Sequence, residues 1–158
     1  MRQSMKIRDI ILYLILFRYI MICCYKPLFC PYTTPDEEED LMIQGKIRSL
    51  NWVTAAHLEC PFKETAPEVR DVIYTAINDI LEVDGLRCPQ DKLGSVVSCS
   101  KKVFEVLQAG GRAQASADDF LPALIYILLK ANPPRIVSNI NFITRFASNL
   151  PSRSYYIR

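Results

Sequence analysis

Apolar residues recur at helical spacing from about residue 36 to residue 148. The clearest amphipathic helix covers residues 67–84, where one face carries Val69, Val72, Ile73, Ala76, Ile77, Ile80 and Val83. The next helix runs from Pro89 to about Gln108, with an apolar stripe of Leu93, Val96, Val97, Val103, Phe104 and Leu107. No stretch alternates apolar and polar residues as a half-buried strand does. The pattern therefore predicts an all-α domain whose helices are joined by short loops.

Two shorter helices flank this pair. One begins near Asp36, where Thr34 is expected to cap the helix and Pro35 to take its first position. Its acidic run, residues 36–40, suits the positive end of the helix dipole, so we interpret it as a solvated first turn in preference to a metal site. The other helix covers residues 135–148 and is expected to turn inward Ile136, Ile140, Ile143 and Phe146.

Single residues add expectations about packing and helix ends. Trp52 is expected to anchor the core, whereas Lys92 is expected to lie in solvent. Gly85 is placed to end the helix over residues 67–84 in a left-handed cap. The pair Gly110–Gly111 is expected to stop the helix that begins at Pro89.

The most apolar helix is predicted over residues 117–131. It is apolar on every face except at its ends and too short to span a bilayer, so we expect it to be buried in a bundle. Ser116 is suited to cap it, with Asp119 as the reciprocal cap, and this leaves Asp118 facing outward from the first turn. Pro122 cannot donate to the carbonyl of Asp118, so the helix is expected to kink there or to begin near Asp119. Acidic first turns are common, and a simple capping role is the plainer interpretation of the residues alone.

Residues 1–25 differ from the rest of the chain. Basic residues precede an apolar run over residues 10–17, and Arg18 separates it from a second run over residues 19–25. The first run is shorter than the roughly 20 residues that a spanning helix needs. It has the length of a signal-peptide core, but no small-residue cleavage site follows. The pattern leaves open a helix packed on the domain, a membrane anchor, a signal peptide, or sequence outside the working protein.

Composition narrows the classes of function. The chain has 158 residues, of which 50% are hydrophobic and 23% charged, and this is typical of a globular domain. The net charge is +2 and the basic residues are scattered, so nucleic acid is not an expected partner. The six cysteines and His57 lack the short spacings of a zinc site, and we expect no metal and no cofactor. The cysteines are interpreted as reduced thiols of an intracellular protein, with an oxidised secreted fold as the alternative.

The stretch Ser116-Ala-Asp-Asp-Phe-Leu-Pro-Ala-Leu-Ile-Tyr-Ile-Leu-Leu-Lys-Ala-Asn-Pro-Pro134 resembles the signature of the Vps-nine domain family. Other segments resemble its Rabex-five branch, namely residues 28–31, 36–52, 67–84, 89–93 and 138–146. Members of this family are guanine-nucleotide exchange factors for GTPases of the Rab-five subfamily. The resemblance therefore implies a layered helical bundle of the Vps-nine type, a Rab-five-type GTPase as partner, and endocytic trafficking at the cytoplasmic face of early endosomes.

The resemblance also assigns roles to three residues. Asp118 matches the aspartate finger, which enters the nucleotide site of the GTPase, competes with magnesium and the phosphates, and pairs with the phosphate-loop lysine. Pro122 matches a proline that shapes the helix start at the interface. Tyr155 matches a tyrosine that contacts a switch region of the GTPase. No covalent chemistry is implied.

The match to the family is partial. The spacing from Thr144 to Tyr155 is shorter than the family pattern, and the threonine expected after the tyrosine pair is absent. We therefore divide the chain into an atypical apolar segment (1–25), the end of a helical bundle with a linker helix (26–52), and an exchange domain without its closing helices (53–158). Without those helices, the central helix should expose apolar surface. The alternatives to an exchange factor are a weak or inactive Rab-binding scaffold and a membrane-anchored helical protein with a vestigial resemblance.

Overall fold

A computed structural model describes residues 7–111 and 116–147 of the chain. This part of the chain contains no strand, so the predicted all-α fold is confirmed. Besides a short 3₁₀ turn at Ala56–Leu58, its helices are α1 (Ile7–Cys23), α2 (Tyr25–Phe29), α3 (Asp36–Ser49), α4 (Pro67–Gly85), α5 (Pro89–Ala109), α6 (Ala117–Ala131) and α7 (Ile136–Phe146).

The core lies between α4, α5 and α6. Pro67 and Pro89 occupy the first positions of α4 and α5, where their missing N–H groups would have no helical partner in any case. The apolar faces of the three helices meet in one cluster, which includes Val69, Ile73, Ala76, Ile80, Val83, Cys99, Val103, Val106, Leu107, Ala123, Tyr126 and Ile127. The predicted bounds and apolar face of α4, and the predicted extents of α5 and α6, are therefore confirmed.

The ends of α4 and α5 differ in their use of glycine. Gly85 is the last helical residue of α4, and Leu86 follows in an extended conformation, so the predicted left-handed cap is wrong. The connection to α5 is extended because the residue before Pro89 avoids the helical region. At the end of α5, Gly111 does adopt a left-handed φ of 96°, as a helix stop requires.

Two carboxylates of α3, those of Asp36 and Asp40, are buried against α7. Asp40 Oδ1 accepts hydrogen bonds from the backbone N–H groups of Val137 (2.7 Å) and Ser138 (3.3 Å). Asp36 Oδ2 pairs with Arg145 Nη2 at 3.0 Å. The predicted solvated first turn is wrong for these two acids, although residues 37–39 between them are exposed. Because a buried carboxylate needs such partners, these contacts fix α3 on α7.

The start of α3 also differs from the prediction. Pro35 stands at the capping position and not inside the helix. Thr34 makes no cap, because its hydroxyl donates to the carbonyl of Pro31 at 2.8 Å.

The buried face of α7 is polar as well as apolar. Ser138, Asn139 and Phe142 are buried, whereas Ile140 is 53% exposed. Ile143 and Phe146 pack against apolar clusters as predicted, whereas the inward position predicted for Ile140 is wrong. Partners on α3 and α5 bind the polar residues of α7, and these contacts decide which face turns inward.

Lys92 of α5 is fully buried, at 0% exposure, although it was expected in solvent. Its Nζ donates to the carbonyl of Val83 (2.8 Å) and to Asn139 Oδ1 (2.7 Å). The ring centroids of Tyr25, Phe29 and Phe142 lie 5.2, 4.8 and 5.9 Å from this nitrogen. Tyr25 and Phe29 belong to α2, so α2 closes one side of the lysine site.

Burial lowers the pKa of Lys92 to about 8, because the ammonium loses its hydration. The negative charge of Asp84 opposes this change in pKa, and the positive charge of Arg135 adds to it. Arg135 itself pairs with Asp84 through two contacts, Nε to Oδ1 (2.9 Å) and Nη2 to Oδ2 (2.6 Å).

Trp52 does not anchor the core. Its side chain is 66% exposed and meets the ring of His57 edge-on, with centroids 5.4 Å apart. Val53 and Ala55 are buried in this loop instead. The loop is fixed at the far end of α6, where Lys130 Nζ donates to the carbonyl of Asn51 at 2.9 Å.

Helix α1 leaves most of its side chains in solvent. Phe17 and Met21 join Phe29 and Phe142 in a small apolar cluster at its C-terminal end. Met21 is its only residue that is fully buried. Of the alternatives left open for residues 1–25, a helix packed on the domain describes only the C-terminal end of α1. Among the described helices, none combines the length and apolar character needed to cross a bilayer.

Candidate functional site

A reciprocal cap fixes the first turn of α6. Ser116 has an extended backbone, and its Oγ accepts the backbone N–H of Asp119 at 3.2 Å. In return, Asp119 Oδ2 accepts the backbone N–H of Ser116 at 3.1 Å and its hydroxyl at 2.9 Å. This arrangement satisfies helix donors that otherwise lack partners, so the predicted role of Asp119 as a cap is confirmed.

Asp118 is the second residue of the same helix, and its side chain is exposed. It makes no hydrogen bond or ion pair with any residue in the described ranges. Its backbone is held by the cap, and the N-terminal helix dipole favours a negative charge at this point. The backbone of Asp118 is therefore fixed, while its carboxylate is exposed and accessible to a partner.

Pro122 lies inside α6, which runs without a break from Ala117 to Ala131. The helix begins two residues before Asp119, near which one of the two predicted alternatives placed its start. Because proline has no N–H, the carbonyl of Asp118 lacks its usual donor four residues on. A second acceptor group therefore lies next to the Asp118 carboxylate.

One side of α6 is an exposed apolar stripe that begins at the acid. Asp118, Leu121, Pro122 and Ile125 share a face by their spacing of three and four residues. Leu121 is 57% exposed and Ile125 is 38% exposed. We call these four residues the α6 stripe. It spans about 10 Å along the helix, at 1.5 Å per residue. The predicted exposure of apolar surface on this helix is confirmed at Leu121 and Ile125, and the predicted burial holds for its other side.

Aromatic contacts hold α6 against its neighbours. Phe120 stacks on Phe104 of α5, with ring centroids 4.8 Å apart. Tyr126 meets Phe62 edge-on at 5.8 Å. These contacts were not predicted, because the sequence places Phe104 on an apolar helix face without indicating its partner. They fix the orientation of the helix that carries Asp118.

The carboxylate of Glu64, in the loop that precedes α4, connects this loop to α6. A hydrogen bond from the Tyr126 hydroxyl lowers the pKa of Glu64, which also accepts the backbone N–H of Ala55 at 3.2 Å. Burial and this same hydrogen bond raise the pKa of Tyr126. No sequence signal marks Glu64, because its partners lie in other segments. The contact holds the middle of α6 and leaves the stripe uncovered.

The remaining predictions about the site concern Tyr155 and metal ions. Tyr155 lies outside the described residues. Within residues 7–111 and 116–147, no group of three or more histidine, cysteine or acidic residues could hold a metal ion. All six cysteines fall in these ranges, and each is a free thiol.

Comparison with known proteins adds a second line of observation. A family model, described as the vacuolar sorting protein 9 (VPS9) domain, matches residues 73–157, which is more than half of the chain. The Rab5 GDP/GTP exchange factors of Bos taurus and Homo sapiens are each 53% identical over 136 residues, covering 86% of this chain and 27% of the relative. The vacuolar protein sorting-associated protein vps901 of Schizosaccharomyces pombe is 30% identical over 113 residues, covering 72% of this chain and 19% of the relative. The chain thus spans about a quarter of the length of the first two relatives. The match over residues 73–157 shows that the chain belongs to the VPS9 domain family.

Proposed function

We propose that this chain is a guanine-nucleotide exchange domain for a GTPase of the Rab-five subfamily, with Asp118 as its aspartate finger. The observation that carries the proposal is the exposed Asp118 carboxylate at the capped start of α6, at one end of the apolar α6 stripe. The similarity to proteins named as Rab5 GDP/GTP exchange factors supports the choice of partner.

The chemistry of a GTPase site explains how such an acid would act. Magnesium and the phosphates are the main charges in that site. The Asp118 carboxylate would repel the phosphates and offer the phosphate-loop lysine a substitute anion. Nucleotide and exchange factor then weaken each other's binding by the same factor, because coupling between two ligands is reciprocal. No covalent bond is made or broken, so the chain acts as a regulator of the GTPase.

The other residues of the α6 stripe, together with Tyr155, would complete the contact. Leu121 and Ile125 offer apolar surface to the GTPase beside the acid. Pro122 shapes the start of α6, and its missing N–H leaves the Asp118 carbonyl open to a donor on the partner. Tyr155 is proposed to contact a switch region.

The test is the release of labelled GDP from a Rab-five-type GTPase. Removing one partner of a buried charge pair costs about 2–5 kcal/mol, so Asp118→Asn should slow the accelerated release by about 30-fold or more. Glu68→Gln is a matched control, because Glu68 is an exposed acid at the same second position of α4. The control should exchange as the unmodified chain does.

Two results would contradict the proposal. If the GTPase releases GDP no faster with the unmodified chain than without it, exchange activity is excluded. Stable binding of the nucleotide-free GTPase without faster release would then indicate the alternative function, a Rab-binding scaffold. If Asp118→Asn accelerates release as well as the unmodified chain does, the assignment of Asp118 is wrong.

We also propose that the chain works in the cytoplasm at the early endosome membrane, where residues 1–25 contribute to membrane association. The exposed apolar residues of α1 support this role. The Rab5-directed activity named for the two relatives supports an endocytic setting.

A further inference from the structure

Helix α1 carries an apolar surface that the described part of the domain leaves uncovered. Its side toward the domain is marked by the half-buried Ile10, Leu14 and Phe17 and by the buried Met21. The other large apolar residues have exposures between 39% and 75%, and they are Ile7, Ile11, Leu12, Tyr13, Ile15, Leu16, Tyr19, Ile20 and Ile22. An apolar surface of this extent marks an interaction site.

The shape of this surface distinguishes between possible partners. At 3.6 residues per turn, the exposed apolar side chains extend from Ile7 around to Tyr13 over about 240° of the helix circumference. A partner helix covers a narrower seam. A lipid layer can surround the wider arc. The helix has 17 residues and, like the other described helices, is not long and apolar enough to cross a bilayer, so we place it along the surface of a bilayer and not through its full thickness.

The charge of the segment complements an anionic surface. Residues 1–26 contain five basic residues against Asp9 alone, which gives 5 − 1 = +4, and the basic residues are Arg2, Lys6, Arg8, Arg18 and Lys26. The whole chain carries +2, so residues 27–158 carry 2 − 4 = −2. An anionic surface therefore attracts this segment and repels the rest of the domain.

The contacts of Arg18 fix how the segment meets the domain. Its Nη1 pairs with Asp91 Oδ1 of α5 at 2.7 Å. Together with the burial of Met21, this contact joins the C-terminal end of α1 to the fold, while Arg8 at the other end is exposed. The exposed arc is therefore held in a defined orientation relative to α5.

We propose that α1 lies along an anionic lipid surface, with Leu12, Leu16 and Tyr19 at the boundary between head groups and acyl chains and with Arg8 and Lys26 near the lipid phosphates. This proposal names the lipid class and the contacting face for the membrane association proposed above, on which it rests. It does not depend on exchange activity.

The test is flotation of the full chain with vesicles of phosphatidylcholine, with or without phosphatidylserine. We expect binding to the vesicles that contain phosphatidylserine. Binding to phosphatidylcholine alone should be weaker by about tenfold or more. Placing charges in the contacting face, as Leu12→Asp with Leu16→Asp, should weaken binding by about tenfold or more. Leu41→Asp is the matched control, because Leu41 of α3 is 66% exposed, and it should bind as the unmodified chain does.

Several results would overturn the proposal. These are no vesicle binding, equal binding to both vesicle types, or full binding by the variant with charges at positions 12 and 16. Dimers in analytical ultracentrifugation that the same variant converts to monomers, without vesicle binding, would instead assign the surface to a second copy of the chain.

GDP release in solution without vesicles separates this proposal from the proposed exchange activity. Equal release by the variant and the unmodified chain is expected, because α1 acts on lipid. A loss of release in the variant alone would place α1 in the GTPase contact and overturn the proposal. If neither protein accelerates release while vesicle binding follows the expected pattern, exchange activity fails and the lipid proposal stands.

Discussion

Because the ammonium of Lys92 is buried, we expect the free energy of unfolding of the domain to rise with pH in the alkaline range. Burial lowers the pKa of this group from 10.5 to about 8. In the unfolded chain the side chain is hydrated and keeps its ordinary value. Between these two pKa values the unfolded chain binds more protons than the folded chain. The free energy of unfolding therefore rises as pH rises across this window. As pH falls it decreases across the same window, and the decrease is complete once pH is below the folded pKa.

The magnitude follows from the change in pKa. At about 1.4 kcal/mol per pH unit, the difference between 10.5 and about 8 corresponds to about 3 kcal/mol. About 2 kcal/mol of this is gained between pH 7 and pH 9.5, because Lys92 is charged in the folded chain at the lower pH and largely neutral at the higher. Lys92→Met removes this gain while it conserves most of the side-chain volume.

The variant should be close in stability to the unmodified chain at pH 7. Loss of the buried charge favours Lys92→Met, but the carbonyl of Val83 and Oδ1 of Asn139 then lose their donor, at about 1–3 kcal/mol. At pH 9.5 the unmodified chain should have gained about 2 kcal/mol over the variant. Urea unfolding at both pH values, followed by circular dichroism, measures this difference.

The comparison of two proteins cancels the other groups that titrate in the same range. Lys101→Met is a matched control, because Lys101 lies on the same helix and is exposed. Its stability relative to the unmodified chain should not change between the two pH values. If the difference for Lys92→Met also stays within about 0.5 kcal/mol, the reasoning from burial of the ammonium is refuted.

Two further substitutions test contacts that fix the helices. Asp40→Ala removes the cap of α7 and should lower the free energy of unfolding by about 2–3 kcal/mol in urea titration. Glu38→Ala, at an exposed acid of the same helix, should change it by less than about 0.5 kcal/mol, and equal effects would contradict the capping role. Gly110→Ala would place a Cβ 2.6 Å from Phe62 Cβ and should cost about 1–3 kcal/mol in thermal or urea unfolding. Gly45→Ala, with no atom within 4 Å, should stabilise its helix by about 0.5–1 kcal/mol, and a similar gain at Gly110 would show that the close contact is absent.

Helices with local signals could be predicted from the sequence. Pro67 and Pro89 mark the first positions of α4 and α5, and the structure has them there. Ser116 and Asp119 are three residues apart, which is the spacing of a reciprocal cap, and the cap forms. Asp118 could therefore be separated from its neighbour before any contact was known.

The burial of charged residues could not be predicted, because their partners are distant in sequence. Lys92 donates to Asn139, which is 47 positions away, and Asp40 accepts from Ser138, which is 98 positions away. Without those partners, each charged residue is expected in solvent, since burial alone is costly. The same contacts turn the polar side of α7 inward and leave Ile140 exposed.

Aromatic residues were misjudged for a related reason. Trp52 was expected in the core because of its apolar area, but the loop after α3 turns Val53 and Ala55 inward in its place. Phe104 was assigned to an apolar stripe, and in the structure it is partly exposed and stacks on Phe120 beside the candidate site. Periodicity identifies an apolar face but does not show how far a neighbouring element covers it.

The cap that Asp40 provides for α7 has a consequence for the order of folding. Arg135, at the capping position of α7, has a left-handed φ of 48° and forms no side-chain cap. The backbone N–H of Val137, in the first turn of α7, donates to Asp40, which lies 97 positions earlier in the chain. Forming the first turn of a helix is costly on its own, and α7 gains its N-terminal cap only once α3 has docked against it. Closing such a long loop is slow compared with local helix formation, so we expect the α3–α7 pair to form late in folding and the two helices to open and exchange their amide hydrogens together.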